Sequence, residues 1–226
     1  MCGRFAFYSP AEAAAALFGV EEVPAALAFG ARYNIAPTED IPVVRHDRGG
    51  EPELALLRWG LVPFWAKDPA IGNRMINARA ETLAEKPAFR SSFRERRCVV
   101  LADGFYEWRP EGSRKTPYFI TPVSGRPFAL AGLWERWRDR QGGAVLETAA
   151  IVTTAANEFL ARLHDRMPVA FEPEAARRWL AGDPALLAEV TSGSPPAATP
   201  EFRAWPVERK VNDARNEGPE LIERAG

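Results

Sequence analysis

The feature that most constrains the fold of this chain is a series of short apolar runs with few helical segments between them. Each run is rich in β-branched and aromatic residues, which is typical of β-strands. The runs are residues 41–46, 53–59, 98–102, 105–109, 117–121, 128–133, 148–153 and 202–207. Strands that succeed one another without crossover helices favour an antiparallel or mixed sheet over a doubly wound parallel one. We therefore predict an α+β fold for residues 1–226 as a single domain, with a barrel-like sheet and peripheral helices.

Helical candidates are fewer and lie outside these runs. They are residues 10–18, 80–85, 157–163, 174–181 and 184–190. Pro10 and Pro184 lie where the first turn of a helix accepts proline. Residues 191–200 are rich in Ser, Pro and Ala, which indicates a surface loop.

Charge and cysteine content limit what the chain can bind. Lys and Arg total 29 against 30 Asp and Glu, so the net charge is −1 and any nucleic-acid contact needs a local basic patch. Cys2 and Cys98 are too few for a disulfide framework, which favours a reducing cytoplasm, and Cys98 in its strand-like run is expected to be a core residue. No His and Cys residues have the spacing of a zinc site, and we expect no metal or other cofactor. No apolar run approaches the ~20 residues of a membrane helix and no signal segment is visible, so we expect a cytoplasmic protein, associated with the nucleoid when it is bound to damaged DNA. Nothing in the sequence demands more than a monomer, and we expect one.

The second residue has chemistry that an internal cysteine lacks. Once Met1 is removed, Cys2 carries an α-amine and a thiol on adjacent carbons, with ordinary pKa values of about 7.7–8.0 and about 8.5. Such a 1,2-aminothiol condenses with an aldehyde to an imine, and the thiol then closes a five-membered thiazolidine ring. The alternative is a terminal cysteine with no special role.

Two titratable residues are candidates for proton transfer. Glu107 lies in a strand-like run among aromatic residues and is either solvated at a strand edge or buried; burial would raise its pKa and suit acid–base work. His164 follows a short amphipathic segment and either shuttles protons near neutral pH or merely caps that segment.

Other residues suggest contacts to a sugar–phosphate chain and its bases. In an extended segment Asn77 and Arg79 share a face, so Arg79 could hold a phosphate and Asn77 a sugar or imine; the alternative is a helix cap at Asn77 with Glu81 as a surface charge. Phe64 and Trp65 follow a proline in a loop and either stack on unpaired bases or cover the barrel.

Several motifs in this order resemble the SRAP family, the SOS-response-associated peptidases or abasic-site processing proteins. The matching segments are residues 1–5 (MCGRF), 33–37 (YNIAP), 58–63 (RWGLVP), 76–79 (INAR) with 81–82 (ET), 102–108 (ADGFYEW), 151–154 (IVTT) and 164–168 (HDRMP), with a similar tail at 211–222. The resemblance implies an α+β domain with a groove for DNA, loss of Met1, and a covalent link between Cys2 and abasic sites in single-stranded DNA.

By motif position, the resemblance also implies roles for individual residues. The active-site roles fall on Cys2, Asn77, Glu107 and His164. The DNA-contacting or pocket positions are Arg4, Asn34, Pro37, Phe64, Trp65, Arg79 and Arg166. Some relatives have two adjacent tryptophans where this chain has Phe64 and Trp65, and phenylalanine retains a stacking face.

Two other functions remain open at this point. The first is a peptidase with an N-terminal cysteine nucleophile, which at least removes its own Met1; such an enzyme needs a histidine-activated thiol and an oxyanion hole. The second is a single-strand-binding module that uses the same groove without covalent chemistry.

Overall fold

The computed structural model describes residues 2–21, 23, 30–139 and 142–226, and these form two β-sheets with short helices around them. The strands are β1 (Phe5–Phe7), β2 (Arg32–Ile35), β3 (Asp40–His46), β4 (Pro52–Trp59), β5 (Asn77–Arg79), β6 (Arg97–Ala102), β7 (Gly104–Glu111), β8 (Arg114–Pro122), β9 (Phe128–Arg138), β10 (Val145–Ala155), β11 (Arg166–Pro168), β12 (Ala170–Phe171) and β13 (Phe202–Pro206). The helices are α1 (Ala11–Leu17), α2 (Arg90–Glu95), α3 (Pro173–Ala181) and α4 (Pro184–Thr191). The predicted α+β class is confirmed.

Five strands of the larger sheet close into a barrel. The pairing runs from β10 to β4, β3, β6 and β9 and then returns to β10, with only the β10–β4 pair parallel. Strands β5 and β11 both pair with β10, and β12 pairs with β9. Small residues allow the strands to approach closely: a Cβ added at Gly132 in β9 would lie 2.8 Å from Cys98 Sγ on β6. Because the strands lie so close together, the interior of the barrel is filled by buried side chains and is not a pore.

The smaller sheet is antiparallel, with the strand order β13–β8–β7–β1–β2. Strand β1, which lies between β7 and β2, is buried at every position. Phe5 of β1 packs edge-on against Trp59 of β4, with ring centroids 5.4 Å apart, and so joins the two sheets. The antiparallel pairing of β1 with β7 holds the residues just before β1 next to β7.

All eight predicted strands are confirmed, the last ending one residue earlier than predicted, but two of the predicted helices are wrong. Residues 80–85 form a 3₁₀ turn at Ala80–Thr82 and further turns, because Pro87 disfavours helical backbone at the residue before it. Residues 157–163 contain one 3₁₀ turn at Leu160–Arg162. The two ends of that connection are held side by side, because Ala155 pairs with Arg166 and the Ala156 N–H donates to the Asp165 carbonyl at 3.0 Å.

Within the described residues, none of the helices has the length and apolar character needed to cross a membrane.

Candidate active site

The register between β1 and β7 places Cys2 beside Glu107. Phe5 pairs with Phe105 in an antiparallel arrangement, and the Tyr106 N–H donates to the carbonyl of Arg4 at 3.0 Å. Residues preceding Phe5 therefore run alongside residues following Phe105. Asp103 fixes the other end of β1, because its carboxylate accepts the backbone N–H groups of Tyr8 and Ser9 at 2.6 and 2.7 Å.

Cys2 is completely buried and its backbone is held by Asn77. The Asn77 side-chain Nδ2 donates to the Cys2 carbonyl at 2.8 Å. Asn77 Oδ1 is also buried and has no hydrogen-bond partner within the part of the chain that the structure describes. Burial raises the pKa of the Cys2 thiol, and the negative charge of Glu107 raises it further. The thiol is thus a neutral group at neutral pH, with an unused acceptor nearby. Met1 lies outside the described residues.

Glu107 connects Cys2 to His164. Its side chain is 4% exposed, which supports the buried alternative from the sequence and not the solvated one. Burial raises the pKa of Glu107, and the nearby charge of His164 opposes this effect. Hydrogen bonding and charge thus link Cys2 to Asn77, Cys2 to Glu107 and Glu107 to His164. The structure therefore brings together the four candidate catalytic residues, which span 163 positions of sequence numbering from 2 to 164.

The ring of His164 is oriented through Nδ1. The Arg166 backbone N–H donates to Nδ1 at 3.0 Å, while Asp165 Oδ1 lies 2.7 Å from the same atom. One nitrogen cannot accept the first bond and donate the second, so the two contacts belong to different protonation states. Asp165 is 85% exposed and its carboxylate is well solvated, which makes the backbone bond the better anchor. With Nδ1 as acceptor, the neutral ring carries its proton on Nε2.

Asn77 and Arg79 lie on one face of β5, as the sequence predicts for an extended segment. Ala78 between them is buried, whereas Arg79 is exposed. A cavity of about 380 Å³ lies on this face. Its lining residues are Trp65, Met75, Asn77, Arg79, Thr82, Lys86, Pro87, Ala88 and Phe89. This lining contains the cations Arg79 and Lys86, the rings of Trp65, Pro87 and Phe89, and no acidic side chain. Such a surface suits an anionic ligand that has flat apolar parts.

Phe64 and Trp65 lie in an exposed turn, and Trp65 lines this cavity. They are 54% and 41% exposed, so the alternative that both merely cover the barrel is not supported. The turn closes with a bond from the Ala66 N–H to the Pro63 carbonyl at 2.9 Å, and Trp137 Nε1 donates to the Ala66 carbonyl at 2.8 Å. These bonds hold the exposed rings in place.

Arg4 and Asn34 attach the C-terminal segment to the smaller sheet. Arg4 Nη1 donates to Asn34 Oδ1 at 2.6 Å and to the Val211 carbonyl at 2.7 Å. Asn34 is fully buried, and its Nδ2 donates to the carbonyls of Asp213 and Asn216 at 3.0 and 2.9 Å. In this structure both side chains therefore contact protein, and the DNA contact predicted for them stays a prediction.

Pro37 begins the tight turn between β2 and β3. The next residue, Thr38, has a φ of 77°, which a β-branched residue rarely adopts. The Thr38 N–H donates to the Trp59 carbonyl at 2.9 Å, and Pro37 is half-buried. The turn is therefore held in a fixed shape against β4.

Arg166 lies beside His164, but its guanidinium is paired. Its Nη1 and Nη2 both contact the carboxylate of Glu81, the second at 3.1 Å, and Nη2 also donates to the Thr153 carbonyl at 2.6 Å. Sequence reasoning named Glu81 only as a possible surface charge and did not connect it with Arg166. The two residues are 85 positions apart, and only the pairing of β10 with both β5 and β11 brings them together.

No group of three or more His, Cys, Asp and Glu residues suited to a metal occurs among the described residues.

This chain is similar to known proteins over nearly its whole length, in sequence and in structure. Residues 1–214 match the model of the family described as SOS response associated peptidase (SRAP). The chain is 40% identical to the abasic site processing protein YoqW of Bacillus subtilis and 35% identical to the abasic site processing protein YedK of Escherichia coli, in each case over 99% of both chains. A crystal structure of a protein from Bacteroides thetaiotaomicron superposes with a TM-score of 0.86 at 28% identity, covering 99% of this chain and 100% of that one.

Proposed function

This chain belongs to the SOS response associated peptidase (SRAP) family, and from that premise we propose that it senses abasic sites in single-stranded DNA and links to them covalently through Cys2. The observation that carries the proposal is the position of Cys2 in contact with Asn77 and within the charge field of Glu107. The names of the relatives, abasic site processing proteins, support the same substrate. In this proposal Met1 is removed first, so that the Cys2 nitrogen becomes a primary amine.

The first chemical step forms a bond between the Cys2 nitrogen and C1′ of the abasic sugar. In its ring-opened form that sugar exposes an aldehyde. As the ring opens, His164 supplies a proton to the departing ring oxygen and recovers one from the C1′ hydroxyl, whose oxygen becomes that of the aldehyde. The neutral amine adds to the carbonyl carbon and the carbonyl electron pair moves to oxygen. Glu107 accepts a proton from nitrogen and passes it to that oxygen, which gives the neutral carbinolamine and returns Glu107 to its basic form. Asn77 Oδ1, buried and unused by the described residues, is placed to accept a hydrogen bond from the resulting carbinolamine.

The second step closes the ring. Loss of water from the carbinolamine gives the imine, and the Cys2 sulfur then adds to C1′ while the C=N electron pair returns to nitrogen. The proton released by the thiol is transferred to that nitrogen, by way of Glu107. In the overall reaction, one aldehyde and one aminothiol give one thiazolidine and one water molecule. A thiazolidine resists hydrolysis better than an imine does, so the strand is protected from β-elimination and cleavage.

Recognition of the strand is assigned to the cavity on the β5 face. Arg79 and Lys86 supply positive charge there, and Trp65 offers a ring for an unpaired base. A duplex would cover the sugar with a second strand, so single-stranded DNA is the preferred form.

A general cysteine peptidase is less well supported by the same geometry. Such an enzyme needs a thiolate, usually formed by a hydrogen-bonded histidine. Here burial and the charge of Glu107 both raise the pKa of the Cys2 thiol, which disfavours the thiolate. A neutral thiol can still add to an activated imine.

The test is intact-protein mass spectrometry after mixing with matched abasic and undamaged oligonucleotides. We expect an adduct with the abasic strand alone, at a mass one water below the sum of Met1-free protein and strand. A cleaved peptide substrate without an adduct would support the peptidase, and a salt-sensitive complex without an adduct would support a binding module.

Replacing Arg79 by alanine should weaken the binding of undamaged and abasic strands alike. Arg79 is exposed, and no ion pair involves it within the described ranges, so its charge is available to a phosphate. Loss of one phosphate contact should reduce the slope of log affinity against log salt by about 0.7 for a single strand. Fluorescence anisotropy titrations at several salt concentrations measure this slope. An unchanged slope would contradict the phosphate role.

Replacing Trp65 by alanine should lower the affinity for single-stranded DNA by roughly 1–3 kcal/mol, the usual contribution of one stacked base. The effect on folding should be small because the side chain is 41% exposed. Leu17→Ala is a matched control, since Leu17 is 38% exposed on α1 and has no role in the proposal. Equal binding losses in both variants would mean that the Trp65 effect is not stacking.

A further inference from the structure

Glu81 neutralises Arg166, the residue whose backbone N–H binds His164. Its carboxylate faces both terminal nitrogens of Arg166, whose side chain is only 17% exposed. A guanidinium has five N–H groups. Glu81 and the Thr153 carbonyl use three of those in Arg166, and the Nε–H is buried without a partner among the described residues. Only one Nη1–H remains, so a phosphate cannot bind Arg166 through two bonds while Glu81 is in place.

Glu81 also lies within the field of Arg79. The hydrogen bonds from Arg166 lower the pKa of Glu81, with a smaller effect of the Arg79 charge, so Glu81 is ionised at neutral pH. Its side chain is accommodated by Gly193, where a Cβ would come within 2.7 Å of Glu81 Cγ. The carboxylate of Glu81 thus pairs with Arg166 and lies within the range of the Arg79 charge, and it makes with Arg166 the contacts that a phosphate would make.

We infer that Glu81 occupies the place of a DNA phosphate on Arg166 in the DNA-free protein and thereby limits how tightly an undamaged strand binds. The inference rests on the proposed DNA function and adds a determinant of specificity to it. Arg79 offers an open charge to any strand. Arg166 becomes available only when a phosphate displaces Glu81, which makes binding of undamaged DNA weaker than two free arginines would give.

The experiment titrates an undamaged single-stranded oligonucleotide with the full-length protein at several salt concentrations. Glu81→Gln keeps the size of the side chain and one acceptor for Arg166 but removes the competing charge. It should bind more tightly than wild type, with a salt slope steeper by about 0.7. The gain should grow about threefold as salt falls from about 200 to about 50 mM. Glu81→Ala should change affinity in the same direction.

Arg166 and Glu85 provide the controls. Arg166→Ala leaves an unpaired carboxylate beside the strand and should weaken binding, whereas Glu81→Gln combined with Arg166→Ala should return close to wild type. Glu85→Gln removes the same formal charge from an exposed side chain in the next turn and should have little effect.

Weaker binding by both Glu81 variants, or a gain no larger than that of Glu85→Gln, would overturn the inference and make the pair purely structural. These titrations use undamaged DNA and therefore do not depend on adduct formation. A wild-type protein that forms no adduct with an abasic strand would refute the proposed function separately.

Discussion

Replacing Cys2 by alanine should abolish the stable adduct with abasic DNA. The variant keeps an N-terminal amine, so an imine can still form, but it has no sulfur to close the ring. Imines hydrolyse readily, so we expect no band on a denaturing gel unless borohydride is added to reduce the imine to an amine. The measurement is denaturing electrophoresis of protein and an abasic oligonucleotide, with and without borohydride.

Two further proteins complete this experiment. Cys98→Ala removes the other cysteine, which is fully buried on β6 and has no role in the proposal, and should form the adduct as wild type does. A short N-terminal extension that blocks processing should be as damaging as Cys2→Ala, because it removes the free amine. A heat-stable adduct with Cys2→Ala would refute thiazolidine formation.

The strands that form the barrel could be predicted because each carries its own signal. β6 and β9 contain continuous apolar runs long enough to indicate strands by themselves. β1, β2 and β5 were not predicted: they are only three or four residues long and owe their strand conformation to their neighbours in the sheets. Barrel closure depends on the return pairing of β9 with β10, which no local pattern specifies.

The sequence names candidate residues for the site but does not specify the contacts that these residues make. The chemistry of an N-terminal cysteine pointed to Cys2, and the alternation along an extended segment placed Asn77 and Arg79 on one face. The motifs could not reveal that Arg4 and Asn34 hold the C-terminal segment, since these hydrogen bonds join residues 177 or more positions apart. Nor could they pair Glu81 with Arg166, because an ion pair depends on tertiary placement.

Replacing Glu107 by glutamine should slow adduct formation by ~10²-fold or more, the usual scale for a positioned acid or base. Glutamine keeps the shape of the side chain but cannot accept the proton of the Cys2 amine or thiol. Because burial raises the pKa of Glu107, the wild-type rate should rise with pH above the ordinary carboxyl value of 4.5 as the base form appears. The variant should lack this rise. Single-turnover time courses on an abasic oligonucleotide between about pH 5 and about pH 9 provide the comparison.

The same substitution should make the protein more stable at neutral pH. A carboxyl whose pKa is raised on folding binds its proton more tightly in the folded state than in the unfolded chain. The free energy of unfolding of the wild type therefore falls as pH rises from 4.5 through the raised pKa, and Glu107→Gln removes this loss. The advantage of the variant should shrink as pH is lowered towards 4.5. Urea unfolding at several pH values measures it.

Glu135→Gln is the matched control, because Glu135 is equally buried, at 3% exposed, but is paired with Arg96 at 3.0 Å. Breaking that buried pair should destabilise the protein and leave the rate of adduct formation unchanged. A Glu107→Gln variant that is less stable than wild type and reacts at the wild-type rate would make Glu107 a structural residue like Glu135. We instead expect Glu107→Gln to react more slowly and to be more stable than wild type. That combination would show that burying the Glu107 carboxylate serves the reaction and destabilises the folded protein.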